Sequence, residues 1–177
     1  MVGPWDITPT GRGWWRACGC GALQAALVLG AGGAAKAAAL ALAQAGCRVT
    51  VCARTPEKAA ALAARCGGVT VSWEDLPRAA AEHGLLLNAT PLGMEGSPEF
   101  ESLDFVQALP AKAVVYDLVY HPTDTALMRA AEYRGLTAVG GLALLVQQAA
   151  LSFAHFTGIV PDAALCRDIL QELEAAQ

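Results

Sequence analysis

Charge and aromatic rings are both scarce in this sequence. Only 16% of its 177 residues are charged, and Phe, Tyr and Trp together make up 6%. The net charge is −4, so there is no basic field to hold nucleic acid or an anionic membrane surface. Few rings and many alanines disfavour an all-β sandwich and favour helices packed closely on a sheet. Lysine occurs only at positions 36, 58 and 112. The six cysteines, at 18, 20, 47, 52, 66 and 166, include no CxxC pair. Cys18 and Cys20 alone make a poor metal site, because zinc takes four ligands and no histidine lies near them. They read as reduced, mostly structural thiols of a cytoplasmic protein. Residues 1–6 have neither a positive segment nor an apolar one, so no signal peptide is read there. The longest apolar stretch, 136–154, carries Gly140, Gly141, Gln147 and Gln148. Adjacent amides at its centre point to a buried helix rather than a membrane span.

What is abundant is apolar surface, at 55% of residues. That excludes a disordered chain, and the length suits one domain with its own core. Short apolar runs alternate with alanine- and leucine-rich stretches from residue 25 onward. Strands are expected at 26–30, 48–52, 69–72, 85–88, 114–117 and 137–139. Helices are expected at 34–45, 56–65, 73–82, 125–134, 141–156 and 162–175. Gly46 and Gly135 stop the first and fourth of these helices, and Pro56 opens the second. Wholly apolar strands alternating with helices predict an α/β fold. Its parallel sheet of about six strands would be covered on both faces and doubly wound, of the Rossmann type. Ligands in such sheets bind beyond the carboxyl ends of the strands. Residues 1–24 do not share the rhythm. They hold Trp5, Trp14 and Trp15 and read as the end of something preceding the domain, which occupies 25–177.

The first strand runs into Gly30, Ala31, Gly32, Gly33 and Ala34. Gly30 permits a tight turn and Gly32 lets backbone approach a pyrophosphate. The following helix aims its free N–H groups and positive dipole end at the phosphates. The second strand ends in Cys52, Ala53, Arg54 and Thr55, with Lys58 one helical turn on. A chain that binds NAD usually has an acid at this tip, for the ribose 2′-hydroxyl. Here Arg54 can grip a 2′-phosphate and lay its plane on adenine, with Lys58 as a second cation. NADP is therefore the expected cofactor.

Four motifs, in this order and spacing, resemble the NADP-binding C-terminal domain of shikimate dehydrogenase and its quinate/shikimate relatives. The first is Gly30-Ala-Gly-Gly-Ala-Ala35, and the second is Ala53-Arg54-Thr55 with Lys58. The third is Leu87-Asn88-Ala89-Thr90-Pro91-Leu92-Gly93-Met94. The fourth is Tyr116-Asp117-Leu118-Val119-Tyr120-His121-Pro122 with Thr125, continuing to Gly141, Leu144-Leu145-Val146 and Gln148. The resemblance covers about residues 25–160. It implies NADP-dependent interconversion of 3-dehydroshikimate and shikimate. Gly30 to Ala34 would cradle the phosphates, and Ala53, Arg54, Thr55 and Lys58 would line the 2′-phosphate pocket. Leu118 and Gly141 would lie by the nicotinamide, and Tyr120 and Gln148 would reach the substrate.

Taken alone, these residues admit plainer roles. Gln148, on an apolar helix, reads as a buried amide that either meets a ligand or caps a loop carbonyl. Tyr120 is either a packed ring with a wet hydroxyl or a ligand contact. Asn88 and Thr90 could simply close a turn before Pro91. Asp117 reads as tying down the loop after its strand, Met94 as packing, and His121 not as a general base.

The sequence also departs from the family. The substrate domain, with its Ser-x-Ser clamp and its lysine–aspartate pair, has no counterpart here. The three lysines fall where the catalytic lysine does not. Thr10 stands where the family has an aspartate, and Ala53 where it has asparagine. Ala143 and Leu144 replace the usual Gly-Met. The chain alone is thus expected to turn over little or no shikimate. It reads as a shikimate dehydrogenase represented by its NADP domain, as an NADP(H)-binding module without catalysis, or as a half-enzyme completed by a partner chain, with a homodimer as the alternative to that partner.

Overall fold

The computed structural model describes residues 24–176. Trp5, Thr10, Trp14, Trp15, Cys18 and Cys20, and with them nearly all of the segment expected to precede the domain, lie outside the described residues. Six parallel strands form one sheet: β1 (Ala25–Leu29), β2 (Arg48–Cys52), β3 (Val69–Thr70), β4 (Leu85–Asn88), β5 (Val114–Asp117) and β6 (Thr137–Val139). Their order is β3-β2-β1-β4-β5-β6. This is a Rossmann-type doubly wound sheet, whose strand order reverses between β1 and β4.

Seven helices are described: α1 (Gly33–Gln44), α2 (Pro56–Cys66), α3 (Leu76–Ala80), α4 (Asp104–Ala108), α5 (Ala126–Tyr133), α6 (Gly141–Thr157) and α7 (Ala163–Ala175). Alternation along each strand divides the core in two. Ala26, Val28, Val49, Val51, Leu85 and Leu87 face α1 and α2, where Ala35, Ala39, Leu42 and Leu62 meet them. Leu27, Leu29, Leu86 and Val115 face the other way, against Leu76, Phe105, Val106 and Leu127 of α3, α4 and α5. Alanines on α1 let that helix lie close to the sheet. Each fully buried leucine contributes about 1.5–3 kcal/mol relative to an exposed one.

The register sets the functional edge. Cys52 stands opposite Leu29, Leu29 opposite Asn88, and Asn88 opposite Asp117. The carboxyl tips of β2, β1, β4 and β5 thus form one level row, about 14 Å across at ordinary strand spacing.

Three expectations need correction. The third strand is only Val69–Thr70, exposed at the sheet edge, and the helix expected over 73–82 is confined to Leu76–Ala80. The short helix α4 was not expected. The stretch 136–154 is not one buried helix. Leu144 still packs on the sheet's core, but α6 otherwise packs mainly on α7, through Leu142, Val146, Ala150, Cys166 and Leu170. Its outer side is bare, with Phe156 84% exposed. Among the described residues no helix is long and apolar enough to cross a membrane.

Candidate dinucleotide site

The glycine turn follows β1 directly. Gly30 has φ +110°, a conformation L side chains rarely adopt, and its N–H donates to Cys52 O at 2.7 Å. A Cβ there would meet Ala89 O at 2.7 Å. Gly30 is therefore fixed by the protein itself: its backbone crosses between the tips of β2 and β4. Gly32 is different. It is the N-cap of α1, extended at φ −77° and ψ −167°, and a Cβ built on it meets nothing within 4 Å. Gly33 has the same open space. The first helical bond of α1 runs from Lys36 N–H to Gly32 O at 3.0 Å. The N–H groups of Gly33, Ala34 and Ala35 precede it and have no helical carbonyl to meet. Donors, a positive dipole end and open space coincide, which is what a pyrophosphate needs.

One strand over, Ala53, Arg54 and Thr55 follow the tip of β2. Ala53 is half-buried against the α1–α2 core, Arg54 is exposed, and Thr55 is the N-cap of α2. Lys58 is exposed in the first turn of α2. Cys52 is fully buried, and burial pushes its thiol up to about 12. It is a core side chain and no nucleophile.

On the other side of β1, the tips of β4 and β5 are joined by hydrogen bonds. Asn88 Nδ2 donates to Asp117 Oδ1 at 2.9 Å and to Leu92 O at 3.3 Å. Thr90 donates to Asn88 Oδ1 from its backbone N–H at 3.0 Å and its hydroxyl at 2.6 Å. The turn expected before Pro91 is thus built by Asn88 and Thr90. Asp117 also accepts from Val119 N–H at 3.1 Å and from the Thr125 hydroxyl at 2.7 Å. Burial pushes the Asp117 carboxyl up, opposed by the donors of Thr125, Val119 and Asn88. Asp117 does tie down its loop, as its place at a strand end suggests. Its bonds to Asn88 and Thr125 were not read from the sequence. The level register of two polar strand tips is the signal that would have found them.

Leu118 and Gly141 come together. A Cβ on Gly141 would lie 2.3 Å from Leu118 O, and its N–H donates to Val119 O at 3.1 Å. Helix α6 therefore starts against the backbone of 118–119. Gln148 is two turns further on, on the same face of α6 as Gly141. It is exposed, not buried, because α6 packs mainly on α7 rather than on the sheet. Tyr120, three residues after β5, is 48% exposed, and Met94 is 38% exposed rather than packed. His121 pairs with Glu95 across the two rim loops, and Glu95 N–H donates to His121 O at 3.1 Å. Among the described residues no cluster of His, Cys, Asp or Glu could hold a metal ion.

Topology, glycine turn and the row of strand tips define a dinucleotide-binding α/β domain. Comparison with known proteins narrows this. A family model described as shikimate/quinate 5-dehydrogenase matches residues 18–94, and one described as the shikimate 5′-dehydrogenase C-terminal domain matches 141–171. The shikimate dehydrogenase (NADP(+)) of Acidiphilium cryptum is 49% identical over 150 residues, covering 84% of this chain and 54% of that protein. The crystal structure of shikimate 5-dehydrogenase from Thermus thermophilus with NADP(H) and shikimate aligns with a TM-score of 0.71 at 40% identity, over 84% of this chain and 54% of that one. The quinate dehydrogenase of Corynebacterium glutamicum in complex with NAD aligns with a TM-score of 0.80 at 30% identity, over 95% and 62%. The chain belongs to the shikimate dehydrogenase family and corresponds to the C-terminal part of its members. It spans about half the length of the curated relatives it matches.

Proposed function

We propose that residues 25–177 are the NADP(H)-binding domain of an oxidoreductase interconverting 3-dehydroshikimate and shikimate. When bound, NADP supplies the hydride acceptor or donor. Gly30 shapes the turn, and the backbone of Ala31, Gly32, Gly33 and Ala34 holds the pyrophosphate. Arg54 and Lys58, with Ala53 and Thr55 beside them, take the 2′-phosphate. Leu118 and Gly141 form the wall for the nicotinamide. Tyr120 and Gln148 supply polar contacts to a hydroxylated acid, and their exposure supports this reading, since each is open to a ligand. A substrate domain, in the same or another chain, completes the site. The bare apolar side chains of α6 and α7, among them Phe153, Phe156 and Ile169, support such a neighbour. A cytoplasmic location belongs to the same reading, supported by the unbridged thiols of Cys47, Cys52, Cys66 and Cys166.

The observation that carries the cofactor choice is the pair of exposed cations, Arg54 and Lys58, after a strand whose tip carries no acid. Relatives include enzymes named for NADP and one solved with NAD, so this tip decides. A charge-assisted contact to a phosphate contributes about 1.5–3 kcal/mol. Arg54→Ala is expected to weaken NADPH binding by at least about tenfold and leave NADH binding unchanged. Fluorescence titration of both cofactors measures it. An equal loss for both would overturn the assignment to NADP.

A further inference from the structure

Five polar or charged side chains are buried among the described residues: Thr50, His83, Asn88, Asp117 and Thr125. The first two bond each other, His83 Nε2 to Thr50 Oγ1 at 2.9 Å, far from the strand tips. The other three form one network at the functional edge. We propose that Asp117 is a positioning residue, held by Asn88 and Thr125, that sets the nicotinamide end of the site and leaves the adenosine end alone. This rests on the cofactor reading above and deepens it.

The geometry makes the effect one-sided. Asp117 Oδ1 accepts from Val119 N–H, fixing the backbone that follows β5. Val119 O in turn accepts from Gly141 N–H, and Leu118 O lies where a Gly141 Cβ would be. The start of α6 therefore rests on the loop that Asp117 holds. Asn88 anchors the same loop from the next strand, through its carbonyl to Leu118 N–H at 2.9 Å and its amide to Asp117. Thr125 completes the hold with one hydroxyl used twice. It donates to Asp117 Oδ2 and accepts from Met128 N–H at 3.2 Å, capping α5. Arg54 and Lys58 lie beyond β2, three strands from Asp117 in the sheet, and no bond of the network reaches them.

The test compares two probes on the purified 177-residue chain, NADPH and adenosine 2′,5′-bisphosphate, which lacks the nicotinamide half. Asp117→Asn and Thr125→Val are expected to weaken NADPH binding by about fivefold, the size of one neutral hydrogen bond lost. Both should keep bisphosphate binding within about twofold of the unsubstituted chain. Emission of bound NADPH should shift toward that of free NADPH in both. Thr125→Ser keeps the hydroxyl and should restore all three readouts. If Asp117→Asn does not fold, the two Thr125 variants carry the test alone. Parallel loss of both ligands, or no change in either, would overturn the proposal. So would an unsubstituted chain that binds NADPH no more tightly than the bisphosphate. An unsubstituted chain that binds neither ligand would bring down the cofactor reading itself, and this proposal with it.

Discussion

Two glycines of one turn answer to different constraints, and they separate folding from binding. Gly30 is held by the protein, with a positive φ and Ala89 O 2.7 Å from its missing Cβ. Gly32 faces open space at an ordinary φ. Gly30→Ala should therefore cost about 1–3 kcal/mol of stability. Gly32→Val should cost under about 1 kcal/mol, the loss of a better N-cap residue, and abolish binding of NADPH and NADH alike. Thermal unfolding and fluorescence titration of the two variants check this. A folded Gly32→Val chain with normal NADPH affinity would remove the pyrophosphate from this turn. The glycine turn and the cations after β2 were legible because both are local: strand, turn and helix sit within ten residues. Gln148 reads as buried in the sequence and is exposed in the structure, because its burial depends on what α6 packs against, which no periodicity within the helix encodes. The strand tips carried half a message. Asn88 and Asp117 read correctly as structural, but their bond spans 29 residues and needs the register to be seen.

At the scale of elements, five of the six strands were legible within a residue or so, because buried parallel strands are continuous apolar runs. The third starts where expected, at Val69, but ends two residues early, because an exposed two-residue edge strand has no apolar run to mark its end. Helix α4, Asp104–Ala108, has five residues between Pro98 and Pro110, too short for a periodic face. Its stability comes from elsewhere. Arg134, at the end of α5, donates through Nη1 to Val106 O and Gln107 O and through Nη2 to Leu109 O. A guanidinium fork thus closes the carbonyl end of a helix that could not hold itself. Arg134→Met keeps the apolar stem and removes the fork. It should cost about 1–2 kcal/mol and lower the melting temperature by about 3–6 °C. NADPH affinity should not change, because Arg134 lies at the end of α5 away from the strand tips. An unchanged melting temperature would show that α4 stands without this clamp.

At the scale of the whole molecule, the described residues lack a group suited to the proposed chemistry. Reducing a carbonyl with hydride requires a group that protonates the developing alkoxide, and such groups contribute about 10²–10⁴-fold each. The resemblance to shikimate dehydrogenases implies a lysine–aspartate pair for this step. Of the three lysines here, Lys36 is on α1 and Lys58 on α2, both at the nucleotide end of the row, and Lys112 precedes β5 at the opposite edge. None lies at the carboxyl tips of β4, β5 or β6, beside Leu118 and Gly141. Asp117 cannot substitute, because its oxygens are occupied by Asn88, Val119 and Thr125. His121 is at the rim, paired with Glu95. Tyr120 and Gln148, proposed above as substrate contacts, are both open to solvent, and two exposed side chains are too little to hold a reacting carbon against the ring. The two losses multiply. The 177-residue chain should bind NADPH and show no measurable shikimate-dependent reduction of NADP when followed by NADPH absorbance. Turnover of about one per second, well within the ordinary enzymatic range, would show that the chain holds a proton-transfer group outside the described residues.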